Sequence, residues 1–183
     1  FSDNNIAKTG MGGLAYASTD TWFNFNFAVG PENTSNSADY RYSFNFNIKH
    51  NYSDTLATGF DSSFVTGNNE FVTKAAGSTP GKQAKSRYFG GALYTAFSFW
   101  SDHWEGLRLE YFKDNDGAAT LSGTGRNFIG FTFTHRANLS KNFSLWLEGR
   151  WDHASLTSFT DSSGGVNKKP DQITALVAAT LAI

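Results

Sequence analysis

The sequence predicts an all-β protein, an up-and-down antiparallel transmembrane β-barrel of eight strands. Three observations predict it: strict alternation of aromatic and polar residues, connections that alternate between short and long, and two opposed faces that recur from strand to strand. The alternation is clearest in YRYSFNFNIKHNY, residues 40–52. Tyr40, Tyr42, Phe44, Phe46, Ile48, His50 and Tyr52 share one parity; Arg41, Ser43, Asn45, Asn47, Lys49 and Asn51 share the other. A strand sends successive side chains to opposite faces, so this segment has one aromatic face and one polar face. A helix would spread both sets around its circumference.

Composition agrees with strands that cross lipid. Hydrophobic residues make up 39% of the 183-residue chain, and mean hydropathy is −0.39. No apolar run approaches the roughly 18–20 residues a spanning helix needs. Aromatics nevertheless reach 16%, with 18 Phe, 7 Tyr and 5 Trp, beside 18 Gly. Alternation dilutes the apolar residues of a membrane barrel in this way. The chain contains no Cys, which excludes disulfides, thiol nucleophiles and thiolate metal sites. A net charge of −1 provides no basic field, so nucleic acid is not an expected partner.

Residues 1–20 are weakly patterned and contain Gly10, Gly12 and Gly13. They read as an N-terminal leader, a plug or the ragged start of the first strand; residues 21–183 read as the barrel. The first clear strand, about Thr21–Gly30, sets Phe23, Phe25, Phe27 and Val29 against Asn24, Asn26 and Ala28. The second is the 40–52 segment. The third, about Leu56–Val65, sets Leu56, Phe60 and Phe64 against Ala57, Gly59, Asp61 and Ser63. The fourth, about Ser86–Trp100, sets Phe89, Leu93, Phe97 and Phe99 against Gly90, Ala92, Ala96 and Ser98. In the fifth, about Gly106–Lys113, Leu107, Leu109 and Tyr111 oppose Arg108 and Glu110. In the sixth, about Asn127–Leu139, Ile129, Phe131 and Phe133 oppose Gly130, Thr132, Thr134 and Arg136. In the seventh, about Phe143–Ala154, Phe143, Leu145, Leu147 and Trp151 oppose Ser144, Glu148, Arg150 and Asp152. Asp171–Ile183 is the last.

The connections run long, short, long, short, long, short, long. Long ones cover about residues 31–39, 66–84, 114–126 and 155–170, and short ones lie near 53–54, 101–103 and 140–142. Outer-membrane barrels have this arrangement, with tight periplasmic turns on one rim and longer surface loops on the other. A soluble sandwich or lipocalin-like barrel that binds a ligand has no reason for such regularity. The polar face is therefore expected to line a lumen through Arg41, Lys49, Asp61, Arg108, Glu110, Arg136, Glu148, Arg150 and Asp152. Five of these are basic and four acidic, so Arg–Glu and Arg–Asp pairing is expected across the interior. An eight-stranded interior is only just wide enough for side chains. Tyr40, Tyr52, Trp100, Trp151 and His153, near strand ends on the apolar side, are expected to form interfacial girdles.

Two segments carry a resemblance. GLRLEYFKDNDG, Gly106–Gly117, and LWLEGRWDHAS, Leu145–Ser155, resemble paired segments of the β-barrel porin-2 (OmpL-like) family, where a strand reading R-x-E-Y-F enters an Asp-rich turn and a later strand carries L-E-x-R-x-D. The resemblance covers about Gly106–Ile183. It implies a porin-like protein in the outer membrane of a Gram-negative bacterium.

No constellation points to catalysis. Asp152-His153 with Ser155 is the local candidate for a lipid-modifying enzyme, but strand neighbours face opposite ways. His50, His135 and His153 share the apolar parity near strand ends, where a polar tip reaches the headgroups. Asp114-Asn115-Asp116-Gly117 resembles half of a calcium loop, yet Gly125 stands where the closing Glu belongs. Gly10-Met11-Gly12-Gly13 lacks the Lys-Ser/Thr of a phosphate loop. No cofactor or metal is expected. The function predicted is porin-like or structural, through passive passage of small solutes or through surface-loop interactions. Expected partners are outer-membrane lipids, lipopolysaccharide near Lys168 and Lys169, and further copies of the chain in a homo-oligomer.

Overall fold

A computed structural model describes residues 8–31, 39–70, 84–120, 124–160 and 168–181. The strands are β1 (Gly10–Ala17), β2 (Thr21–Pro31), β3 (Tyr40–Ser53), β4 (Leu56–Glu70), β5 (Ala84–Trp100), β6 (His103–Asp114), β7 (Arg126–Ser140), β8 (Phe143–Ala154), β9 (Phe159–Thr160), β10 (Lys168–Lys169) and β11 (Asp171–Leu181). Nine of them form one sheet in the order β1-β2-β3-β4-β5-β6-β7-β8-β11, and β9 and β10 pair as a separate ribbon. Every neighbouring pair is antiparallel. The all-β up-and-down plan is the one read from the sequence.

The count differs by one. Gly10–Ala17, which the sequence leaves in a weakly patterned leader, pairs with β2 over its whole length, from Gly10↔Val29 to Ala17↔Trp22. Closure is the second difference: β1 and β11 are the two edges, and neither pairs with the other. Eight antiparallel steps separate them, so they run in the same direction.

Register assigns the faces, because directly paired residues lie on the same side of a sheet. Phe27, Phe44, Phe64 and Phe89 pair in turn across β2–β5 on the apolar side, with Phe25 diagonal to Phe44. Their rings form a ladder: Phe25–Phe44 centroids lie 6.3 Å apart and Phe44–Phe64 6.5 Å. A parallel ladder joins Phe23, Phe46 and Phe60. Such cross-strand aromatic pairs stabilise and align neighbouring strands.

No second layer covers this apolar side among the described residues. Phe131 is 42% exposed and Leu109 51%. The buried apolar residues are small: Val65, Ala92, Ala137 and Ala154. Thr132 and Asp114 are buried as well. A soluble sandwich would show the reverse, with its large rings inside. Monomeric soluble proteins rarely expose a contiguous apolar patch beyond a few hundred Å²; here the patch crosses the whole sheet. No helix of the described residues is long and apolar enough to cross a membrane, which says nothing about strands.

Candidate functional site

The candidate site is the polar face. Register places all nine expected interior residues on it. Lys49, Gly59, Tyr94, Arg108, Thr132 and Arg150 form one row across β3–β8. Asp61, Ala92, Glu110, Gly130 and Asp152 form the next. Arg41 pairs with Gly67, Arg136 with Trp104 and Trp146, and Glu148 with Thr134.

Four of these charges make one network. Arg108 Nη2 lies 2.5 Å from Glu110 Oε1. The other Glu110 oxygen accepts from Arg150 Nη1. Arg150 also grips Asp152 through two groups, Nη2 to Oδ1 at 2.6 Å and Nε to Oδ2 at 2.8 Å. Two guanidinium groups thus neutralise two carboxylates in a partly buried setting, where an unpaired charge is costly. The Arg150–Glu110 contact passes over β7. It can do so because position 130 is glycine: a Cβ there would meet Arg150 Nη2 and Asp152 Oδ1 at 3.0 Å and Glu110 Oε2 at 3.2 Å. Thr132 contributes its hydroxyl to Arg150 at 3.3 Å.

Aromatic rings flank the charges. Arg108 lies over the Tyr94 ring at 5.2 Å, Arg136 over Trp146 at 4.9 Å and Arg41 over Tyr88 at 5.9 Å. Arg41 also donates to the Tyr88 hydroxyl. Sequence reasoning missed these rings as site residues, although parity could have found them: Tyr94 shares its face with Ala92 and Ala96. Parity places Gly130 on the polar face, and its role in passing the ion pair shows only once the register is known. Over β2–β4 the polar face is mainly amide and hydroxyl, with Asn47 Nδ2 donating to Asn24 Oδ1 at 2.7 Å.

The expected girdle residues fall at two rims of the apolar face. Tyr40, Trp151 and His153 lie beside the long connections; Tyr52 and Trp100 lie beside the short turns. Trp151 Nε1 and His153 Nδ1 both reach Asp171 Oδ1, at 3.2 and 2.9 Å. At the short-turn rim Trp100 packs edge-on against His103, and His135 joins His103 at 3.4 Å and Glu105 at 2.8 Å. A shift of register between Phe97 and Trp100 brings Trp100 opposite His103 on the apolar side. On β3, Tyr40 and Tyr52 stand twelve residues apart. That is ~40 Å along a strand, or ~28 Å across a bilayer at a tilt of about 45°.

The catalytic candidate separates. Asp152 is held by Arg150, His153 turns the other way to Asp171, and Ser155 Oγ accepts from the Asn127 N–H. The Asp-rich turn is self-contained too: the Asp114 carboxylate accepts from Ala118 N, Thr120 N and Thr120 Oγ1, and Gly117 has φ 73°. Among the described residues no His/Asp/Glu group could hold a metal ion. Most of the expected surface-loop positions, with Gly164 and Gly165, lie outside the described residues.

The whole chain, residues 1–183, matches the family described as putative beta-barrel porin-2, OmpL-like. The chain belongs to this family. Its membership covers β1–β5 as well as the C-terminal half that carries the resemblance in sequence. An outer-membrane β-barrel protein accounts for the uncovered aromatic face, which a porin turns toward lipid. No curated protein matches the chain.

Proposed function

We propose that the sheet is the wall of a bacterial outer-membrane pore, with its polar face lining a lumen that passes small polar solutes passively. The observation that carries this reading is the pairing of an uncovered aromatic face with an opposite face whose Arg108, Glu110, Arg150 and Asp152 charges satisfy one another. Neither lipid nor a packed protein core would accept the second face, and water would not accept the first. Arg41, Lys49, Asp61, Arg136 and Glu148 complete the lumen lining in this reading. Tyr40, Tyr52, Trp100, Trp151 and His153 sit at the two headgroup levels, where lipids and lipopolysaccharide are the natural partners.

Closure follows from direction. Because β1 and β11 run the same way, pairing one with the other would create a parallel seam, either in one chain or between two copies inserted alike. An all-antiparallel wall needs an odd number of further strands between those edges. In lipid an open edge leaves backbone groups unsatisfied, so it must be covered. An all-antiparallel barrel that contains this sheet has ten strands or more, wider than an eight-stranded interior that side chains alone can fill.

Planar-bilayer recording of the protein folded in detergent tests the proposal, with its heat-dependent gel mobility run alongside. Stable step-like openings are expected. A heat-modifiable band without conductance would contradict a solute pore and direct attention to the surface connections. Solubility without detergent would contradict the membrane reading itself.

A further inference from the structure

Where the amide part of the polar face meets the charged part, the sheet surface dips. The depression has a volume of about 300 Å³, at the lower end of the roughly 300–1,000 Å³ typical of small-molecule sites. Its floor is Ser63, Gly90 and Ala92. Asn45, Asn47 and Asp61 line it from β3 and β4, and Tyr94, Arg108, Glu110 and Phe112 from β5 and β6, with Tyr94 hydrogen-bonded to Asp61. Gly90 allows the Phe112 ring to lie close, since a Cβ there would meet its Cδ2 at 3.1 Å.

We propose that this groove is a binding subsite for a neutral polyhydroxylated solute, a mono- or disaccharide, on its way through the lumen. The inference rests on the pore reading and adds a substrate class to it. Carboxamides, carboxylates and a guanidinium offer paired donors and acceptors with the planar geometry that suits adjacent hydroxyls. The Phe112 ring offers an apolar face to the C–H side of a sugar ring. Charge decides between solute classes. Arg108 and Glu110 already neutralise each other at 2.5 Å, so an anionic solute would have to break that pair beside the Asp61 carboxylate, whereas a neutral polyol need not.

Saturation-transfer NMR on the detergent-folded protein, with glucose, sucrose and gluconate as probes, tests binding without reference to conductance. Transfer to glucose or sucrose is expected, with little to gluconate. Asp61→Ala and Phe112→Leu should each weaken sugar binding about tenfold, and both variants should keep the heat-dependent gel shift that reports folding. Bilayer recording in the presence of sucrose should show a current reduced reversibly in the native protein and much less in Asp61→Ala. Conductance with no sugar signal by NMR would overturn the subsite and leave the pore reading standing. Sugar binding without conductance would do the opposite. Gluconate bound as well as glucose would overturn the neutral solute class.

Discussion

Two regions of one sheet solve the same problem differently. Across β2–β4 the polar face is built mainly from Asn24, Asn26, Asn45, Asn47, Ser43 and Ser63, and the apolar face is rich in phenylalanine, in ladders of stacked and tilted rings. Across β6–β8 the polar face carries full charges, and the apolar face mixes Leu, Ile and Phe. Amides are satisfied by a nearest neighbour, as in Asn47 to Asn24. The charged region needs partners two strands apart, Arg150 on β8 and Glu110 on β6, and a glycine on β7 to let them meet. The amide region therefore depends on local pairing, and the charged region on a register that is correct over three strands.

The largest effect should come from challenging the faces themselves. Phe25→Arg puts a charge on the apolar side near the middle of β2, where an Arg toward lipid costs about 2–4 kcal/mol. Asn26→Arg, one residue along, points to the polar side and should cost less than ~1 kcal/mol. Urea unfolding in lipid vesicles measures the difference, and equal costs would show that both faces meet the same medium.

Next in size is the charged network. Arg150→Ala leaves Glu110 and Asp152 without their shared cation, and stability should fall by about 2 kcal/mol, less than the ~3–5 kcal/mol of a fully buried pair because the groups are partly exposed. Gly130→Val should cost about 1–3 kcal/mol by forcing the same groups apart. The double variant should cost clearly less than the two singles together, because both remove one interaction; strict additivity would show that the glycine and the ion pair are unrelated. Smallest is Asn47→Ala, expected to cost about 0.5–1.5 kcal/mol for one amide hydrogen bond. An effect as large as that of Arg150→Ala would erase the distinction between the two regions.

The faces were legible in the sequence because side-chain parity survives along each strand, and Tyr40–Tyr52 shows it over thirteen residues. The expected Arg–Glu and Arg–Asp pairing was legible as a class, because unpaired charges on a partly buried face are costly. Arg108–Glu110 and Arg150–Asp152 each lie two residues apart on one face of one strand, a spacing visible in the sequence; the Arg150–Glu110 contact over β7 was not, since it depends on register between strands forty residues apart. Strand β1 was hidden by Gly10, Gly12, Gly13, Ala15 and Ala17, which carry little pattern; only Leu14 and Tyr16 mark its apolar side. The strand count differs by that strand, nine in the sheet against the eight expected, and with nine strands its edges run alike. Tyr94 and Trp146 were legible by parity, but an aromatic residue on a polar face becomes meaningful only once the Arg above it is seen.

In the proposed pore one face of this sheet meets lipid and the other meets water. The chain has no cysteine, so single cysteines can be placed along β3 without background. Ser43→Cys, Phe44→Cys, Asn45→Cys, Phe46→Cys, Asn47→Cys and Ile48→Cys, each folded into lipid vesicles, would be treated with a charged, membrane-impermeant maleimide. Fast labelling at 43, 45 and 47 with slow labelling at 44, 46 and 48 is the predicted result. Labelling at comparable rates on both sides, or faster at the Phe positions, would contradict it.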